Sequence, residues 1–306
     1  MKKYLVQKTG GFLLTAIVVS IVTFLVLQVL PGDPARLMLG TEATPEVYAR
    51  VRHELALDQP PLGRYLNWFW GFLRGEWGNS WRYSMPVRGL ALQAFPLSFS
   101  LGLSAVGLSL LVAIPSGIFM AIKPASLLAR ALSVATQVSF GLPQFWVGLL
   151  LIQVFAVELR LLPAGGNASP LGLLLPTLTL ALPRSAILGR FMRAGMAEAM
   201  QQDYVRTARA KGLAGGVVIY KHALRNGVLS VFTIAGLQFA QLLAGTIVIE
   251  QVFGLPGVGQ LLLAGVFQRD LPLVQALVMV IVLFILLFDL LFDLGLGLLD
   301  PRIRYE

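Results

Sequence analysis

Six stretches of mainly apolar residues recur along the chain, at 10–30, 97–121, 132–156, 171–192, 228–250 and 273–296. Each has the ~20 residues that a helix needs to cross the hydrocarbon core of a bilayer. The runs are continuous rather than alternating, which predicts helices and argues against the period-two strands of an outer-membrane barrel. Between them lie a long connection at 31–96 and a basic one at 193–227, with no internal repeat and no hydrophilic domain. The pattern predicts an all-α polytopic membrane protein with six transmembrane helices in one domain, 1–306.

Composition agrees. Apolar residues make up 57% of the 306 and charged residues 13%, whereas soluble domains carry about 25% charge. A net charge of +9 would point to nucleic acid in a soluble protein, but here the cations sort by loop. Lys2, Lys3 and Lys8, then Lys123 and Arg130, then Arg193, Arg206, Arg209, Lys211, Lys221 and Arg225, then Arg302 and Arg304 share one side if six helices alternate. The other side has Arg160 and Arg269 in its short loops. Because short basic loops stay inside, both termini are expected in the cytoplasm, and no nucleic-acid partner is expected. The 31–96 loop balances arginines against acids and is long enough to be exported regardless of charge. Its Leu57-Asp58-Gln59-Pro60 turn precedes Tyr65, Trp68, Trp70 and Trp77, which read as a short helix resting at the membrane interface or meeting a partner. After the first apolar run comes Leu30-Pro31-Gly32-Asp33-Pro34 rather than a small-x-small cleavage site, so that run is expected to be a retained anchor.

Catalytic chemistry is hard to find. No cysteine is present, which excludes disulfides and thiolate metal sites. His53 and His222 have no second ligand at metal spacing, and no H-E-x-x-H or G-x-S-x-G occurs. The 254–259 stretch, Gly-Leu-Pro-Gly-Val-Gly, lacks the Gly-Lys pair of a phosphate loop and reads as a tight external turn. Catalytic and metal-ligating residues are therefore expected to be none. Asp289 and Asp293, one turn apart in the last apolar run, fit either a proton relay or the wet end of a span. Arg184 and Arg190 read as snorkelling residues near the inner end of the fourth span. Gln137, Gln144, Gln238, Gln241 and Thr246 are the uncharged polar residues inside spans, and lipid is a poor surrounding for amides. They are candidates to line a translocation path, with helix packing as the alternative.

The 193–227 loop is the unusual object. Residues 194–211 are good helix formers, and Gly212 suits the left-handed backbone that ends a helix. Arg209 and Lys211 complement that helix's negative end. Gly215-Gly216 separates it from a second short helix expected at 217–225. Its modest apolar residues, Val205, Ala208 and Leu213, suit a groove on a protein better than a lipid surface.

Gln202-Asp203-Tyr204-Val205-Arg206-Thr207-Ala208-Arg209-Ala210-Lys211-Gly212-Leu213, followed by His222-Ala223-Leu224-Arg225-Asn226, resembles the cytoplasmic coupling loop of binding-protein-dependent ABC importer permeases. Within these it is similar to the dipeptide/oligopeptide/nickel permease family. In place of the general Glu-Ala-Ala triplet stands Arg206-Thr207-Ala208, with Gly212 retained. Leu30-Pro31-Gly32-Asp33-Pro34, Gly75-Glu76-Trp77-Gly78-Asn79-Ser80, Leu162-Pro163-Ala164-Gly165-Gly166, the 253–259 turn and Leu299-Asp300-Pro301-Arg302 extend the likeness over the whole chain. Ser230 departs from it, where the family often has proline.

The resemblance implies the type I ABC importer transmembrane-domain fold in a bacterial or archaeal cytoplasmic membrane. It also implies a second homologous permease, two cytoplasmic ATPases and an extracytoplasmic solute-binding protein as partners. ATP and Mg would sit on the ATPases, with no cofactor on this chain. Asp203, Tyr204, Arg206, Thr207, Ala208, Arg209, Ala210, Lys211, Gly212 and Leu213 would be the docking loop. Di- or oligopeptides are the expected cargo, nickel or another small solute the alternative, and a proton-coupled transporter or a membrane scaffold the rival classes.

Overall fold

The computed structural model describes residues 2–29, 44–54, 58–166 and 169–299. The Leu30-Pro31-Gly32-Asp33-Pro34 and Asp300-Pro301-Arg302 motifs lie outside them. The helices are α1 (Lys2–Val29), α2 (Pro45–Glu54), α3 (Pro61–Arg74), α4 (Val87–Ile122), α5 (Leu127–Gly141), α6 (Gln144–Leu151), α7 (Leu174–Ala199), α8 (Asp203–Ala210), α9 (Leu224–Val252), α10 (Val258–Phe267) and α11 (Leu271–Leu299). Four helical stretches are straight, apolar and long enough to cross a membrane: Val6–Val26, Val87–Ile122, Leu171–Ala199 and Leu271–Gly295. Two further helix pairs pass the same test together but are sharply bent, Leu127–Ser139 with Gln144–Glu158 and Gly245–Phe253 with Val258–Phe267, and counting each pair as one span gives six.

Several boundaries differ from expectation for local reasons. Residues 132–156 are not one straight helix. Leu142 takes an extended backbone (φ −92°, ψ 126°) because Pro143 crowds the residue before it out of the helical region, and the chain restarts as α6. Residues 87–96, assigned to the outer loop, already belong to α4. In the fifth span, α9 runs unbroken through Ser230. The aromatics of α3 do not simply rest at an interface. Tyr65 OH hydrogen-bonds Ser20 Oγ of α1 at 2.8 Å, Tyr65 and Trp68 both meet the ring of Phe24, and Trp77 stacks on Phe72. Trp70 alone of the four expected aromatics is more than half exposed.

The centre of the molecule is α7, which packs against α4 on one side and α9 on the other. Glycines set both contacts. A Cβ at Gly117 of α4 would stand 2.7 Å from the Gly189 carbonyl and 2.4 Å from Met192 Cβ. One at Gly227 of α9 would stand 3.2 Å from the Gly195 carbonyl and 2.9 Å from Met196 Sδ. In lipid, where apolar surface gains little by leaving solvent, small residues that let backbones touch are a main source of helix association. The outer helices are tied to each other as well: Lys8 of α1 pairs with Asp293 of α11 at 2.6 Å.

The packing predicts that Gly117→Ala lowers stability by about 1–3 kcal/mol, the usual cost of overfilling a tight contact. Gly107→Ala, in the same helix with nothing within 4 Å of its added Cβ, should be neutral. Thermal unfolding of the purified transporter checks this; equal midpoints for the two variants would contradict it.

Candidate functional site

Residues 194–211 form two helices rather than one. After Ala199 the backbone tightens, with Gln201 N–H donating to Glu198 O and Gln202 N–H to Ala199 O. Gln202 then extends (φ −71°, ψ 151°) and α8 begins at Asp203. Its end follows the expected cap: Gly212 sits at φ +72°, and the N–H of Leu213 reaches back to the Ala208 carbonyl at 3.3 Å. A non-glycine residue pays a steric penalty there. The helix expected at 217–225 is instead a helical turn at Gly215–Val217 and a wide turn at Val218–Ala223 that lead straight into α9.

The two faces of α8 are unlike. Val205 and Ala208, three residues apart, are buried in one apolar cluster with Met192 and Met196 of α7, Ile118 of α4, and Val231 of α9. Asp203, Tyr204, Arg206, Thr207, Arg209, Ala210, Lys211, Gly212 and Leu213 are exposed. Ala208, grouped by sequence with the docking face, thus points into its own subunit. Arg206 lies 3.4 Å from Asp203 with both side chains at least 80% exposed, so that pair adds little stability. Beside the loop, a cleft of about 550 Å³ opens between Ile122, Met200, Arg209, Leu213 and Ile219.

The five path candidates do not form one constellation. Gln137 and Gln241 are exposed, Gln144 and Gln238 half-buried, and Thr246 buried. Gln144 is drawn inward: its Oε1 lies 2.9 Å from where a Cβ on Gly245 would stand, and Arg184 Nη2 lies 3.2 Å from the same point. Arg184 is not a snorkelling residue. It is 3% exposed, with Nη1 donating to the Leu180 carbonyl at 3.0 Å and Nε without a hydrogen-bond partner among the described residues. Pro183 beside it cannot donate to its own helix, so this is a polar break in the most buried span.

At the far end of α9 the structure holds a site that sequence reasoning missed. Glu250 is fully buried. Ser98 Oγ of α4 donates to its carboxyl at 2.6 Å and Gln260 N–H of α10 at 3.0 Å, with the Gly259 N–H joining them. Ser98 Oγ also accepts from Val258 N–H at 2.8 Å. The 254–259 turn therefore closes round a carboxyl at a helix N-terminus, where exposed N–H groups favour an acid. A Cβ on Gly257 would come within 2.4 Å of that carboxyl, so glycine is required for the approach. One acid at the end of an apolar run, just before a glycine-dense turn, was the available signal. A second buried acid, Asp270, takes Ser80 Oγ at 2.5 Å and Arg82 N–H at 3.2 Å, pinning the 79–86 segment to the start of α11.

Asp289 is exposed and Asp293 pairs with Lys8. Among the described residues no group of three His, Asp or Glu is placed to hold a metal.

Comparison with known proteins fits this arrangement. Residues 113–305 match the model of the binding-protein-dependent transport system inner membrane component, and residues 1–102 match that of its N-terminal part. A peptide transport system permease protein of Brucella abortus (strain 2308) is 36% identical over 314 residues, covering all of both chains. The glutathione transport system permease protein GsiC of Escherichia coli (strain K12) is 38% identical over 307 residues, again end to end. Among solved structures, an inward-facing methionine ABC transporter, MetNI, superposes with a TM-score of 0.55 at 14% identity over 70% of this chain and 98% of that one, a likeness of fold. The chain is a multi-pass protein of the cytoplasmic membrane and belongs to the binding-protein-dependent ABC importer permeases.

Proposed function

We propose that this chain forms one half of the translocation path of an ATP-driven peptide importer and that α8 is where the ATPase subunit pushes. The observation that carries the reading is the two-faced α8. Its buried face belongs to the cluster that joins α4, α7 and α9, while its outer face presents Tyr204, Arg206, Arg209 and Lys211. A force on the outer face therefore reaches three spans through packed side chains. The peptide cargo rests on the end-to-end likeness to peptide and glutathione permeases.

In this reading the α8 end and both termini face the cytoplasm, which the distribution of cations supports, and the Glu250 turn faces outward. A second permease completes the path. Two ATPases carry ATP and Mg, and a solute-binding protein delivers cargo at the outer face. A ligand or nucleotide shifts a conformational equilibrium only through contacts that differ between the two states, and the exposed cations of α8 supply such contacts. Gln144 and Arg184 both reach the Gly245 segment of α9.

Reversing Arg206, Arg209 and Lys211 to Glu should weaken ATPase association at least about tenfold, or 1.4 kcal/mol, in pull-downs at low salt. Wild-type retention would remove the cations from the interface. Gly212→Pro should stop ATP-driven uptake while the chain still inserts, because proline holds φ near −65° where +72° is needed. Preserved uptake would overturn the docking role. Uptake into vesicles with internal ATP and a collapsed proton gradient should persist; dependence on the gradient would favour a secondary transporter.

A further inference from the structure

Above the Glu250 turn lies a cleft of about 650 Å³ between the first turns of α4, the end of α9 and α10, within the ~300–1,000 Å³ typical of small-molecule sites. Gln93, Gln251, Gln260 and Tyr83 line it together with apolar side chains, and among the described residues no charged side chain lines it. Among the described residues, the amides of the three glutamines and the Tyr83 hydroxyl make no hydrogen bond to other protein groups. Gln93, Gln251 and Tyr83 are exposed and Gln260 is half-buried, so these groups are open to a ligand in the cleft.

We infer that this cleft is an entry subsite that grips the main chain of a peptide. The inference rests on the importer reading above and specifies its cargo. Each glutamine amide both donates and accepts, which matches the N–H and C=O of a peptide bond whatever the side chains are. The absence of charge sets the class. A hydrated metal ion or its chelate calls for carboxylate or imidazole donors, and a site built to hold a terminal ammonium or carboxylate would carry an opposite charge. A neutral, amide-lined cleft reads backbone and ignores termini. The Glu250 contacts position its wall: Gln260 lines the cleft while its own N–H is held by the Glu250 carboxyl, and Gly257 both lines the cleft and touches that carboxyl.

The chain has no cysteine, so single cysteines report cleanly. In the assembled transporter, Gln93→Cys, Gln251→Cys and Gln260→Cys would each be labelled with a membrane-impermeant maleimide, with the exposed Gln268→Cys outside the cleft as reference. Trialanine at about twice its Kd should slow labelling at the three cleft positions about threefold, since only empty sites react. N-acetyl-trialanine amide should act alike, while Gln268→Cys and an amide-free polyether of similar size should show no effect. A photoreactive alanine tripeptide on the unmodified chain should attach within 90–97 or 251–264. Four results overturn the inference: no protection by trialanine, equal protection by peptide-free binding protein, cysteines already sealed in the complex, or protection by nickel ions. ATP-driven uptake of peptide, measured in parallel, separates the two readings. Uptake with no protection removes this subsite alone, and no uptake of any peptide removes the importer's peptide cargo.

Discussion

The structure depends on how closely α4 and α9 approach α7. At Gly117 of α4 and Gly227 of α9 the backbones come near enough to Gly189 and Gly195 of α7 that an added methyl group would collide. A helix in lipid has no solvent-driven reason to be buried, yet α7 is the most buried of the straight spans. Backbone-to-backbone packing replaces that missing force. Its consequence is mechanical. Three spans that share interlocked contacts cannot slide independently, because close-packed interiors rearrange between discrete states rather than deform smoothly.

On this frame sit two polar devices at opposite ends of α9. At one end α8 lays Val205 and Ala208 into the three-span cluster and leaves its cations outside. At the other, Glu250 gathers Ser98 of α4 and the start of α10. Both are made of short-range contacts between neighbouring helices. Between them, Arg184 keeps a guanidinium inside the most buried helix, where Nη1 donates to the Leu180 carbonyl. Buried intramembrane charge is costly and marks pathways by default.

Much of this was legible in the chain. The six apolar runs, the Gly212 cap and the exposure of Arg206, Arg209 and Lys211 follow from periodicity, glycine chemistry and charge. What was not legible came from tertiary contact. Nothing local to Ala208 says which way it faces; that is set by Met196 and Val218 across the cluster. Arg184 looked like a snorkelling residue because its sequence position is near the loop, whereas in the fold its guanidinium lies buried beside Gly245 of α9. Glu250 was missed, because only folding brings Ser98, distant in sequence, to its carboxyl. The break at Leu142-Pro143 was readable, since proline restrains the residue before it, but the continuous apolar run masked it.

The claim that α8 moves as one body with its own spans is tested most directly by distance. Spin labels at Arg206→Cys, on the exposed face of α8, and at Leu111→Cys, on the exposed flank of α4, would be measured by pulsed electron resonance in the assembled transporter. The separation should stay the same between nucleotide-free and ATP-trapped states, while the distance between the α8 helices of the two permeases changes. A shift within the subunit of about 5 Å or more, one helical turn, would mean that the loop slides on its own spans, and the coupling described here would be wrong.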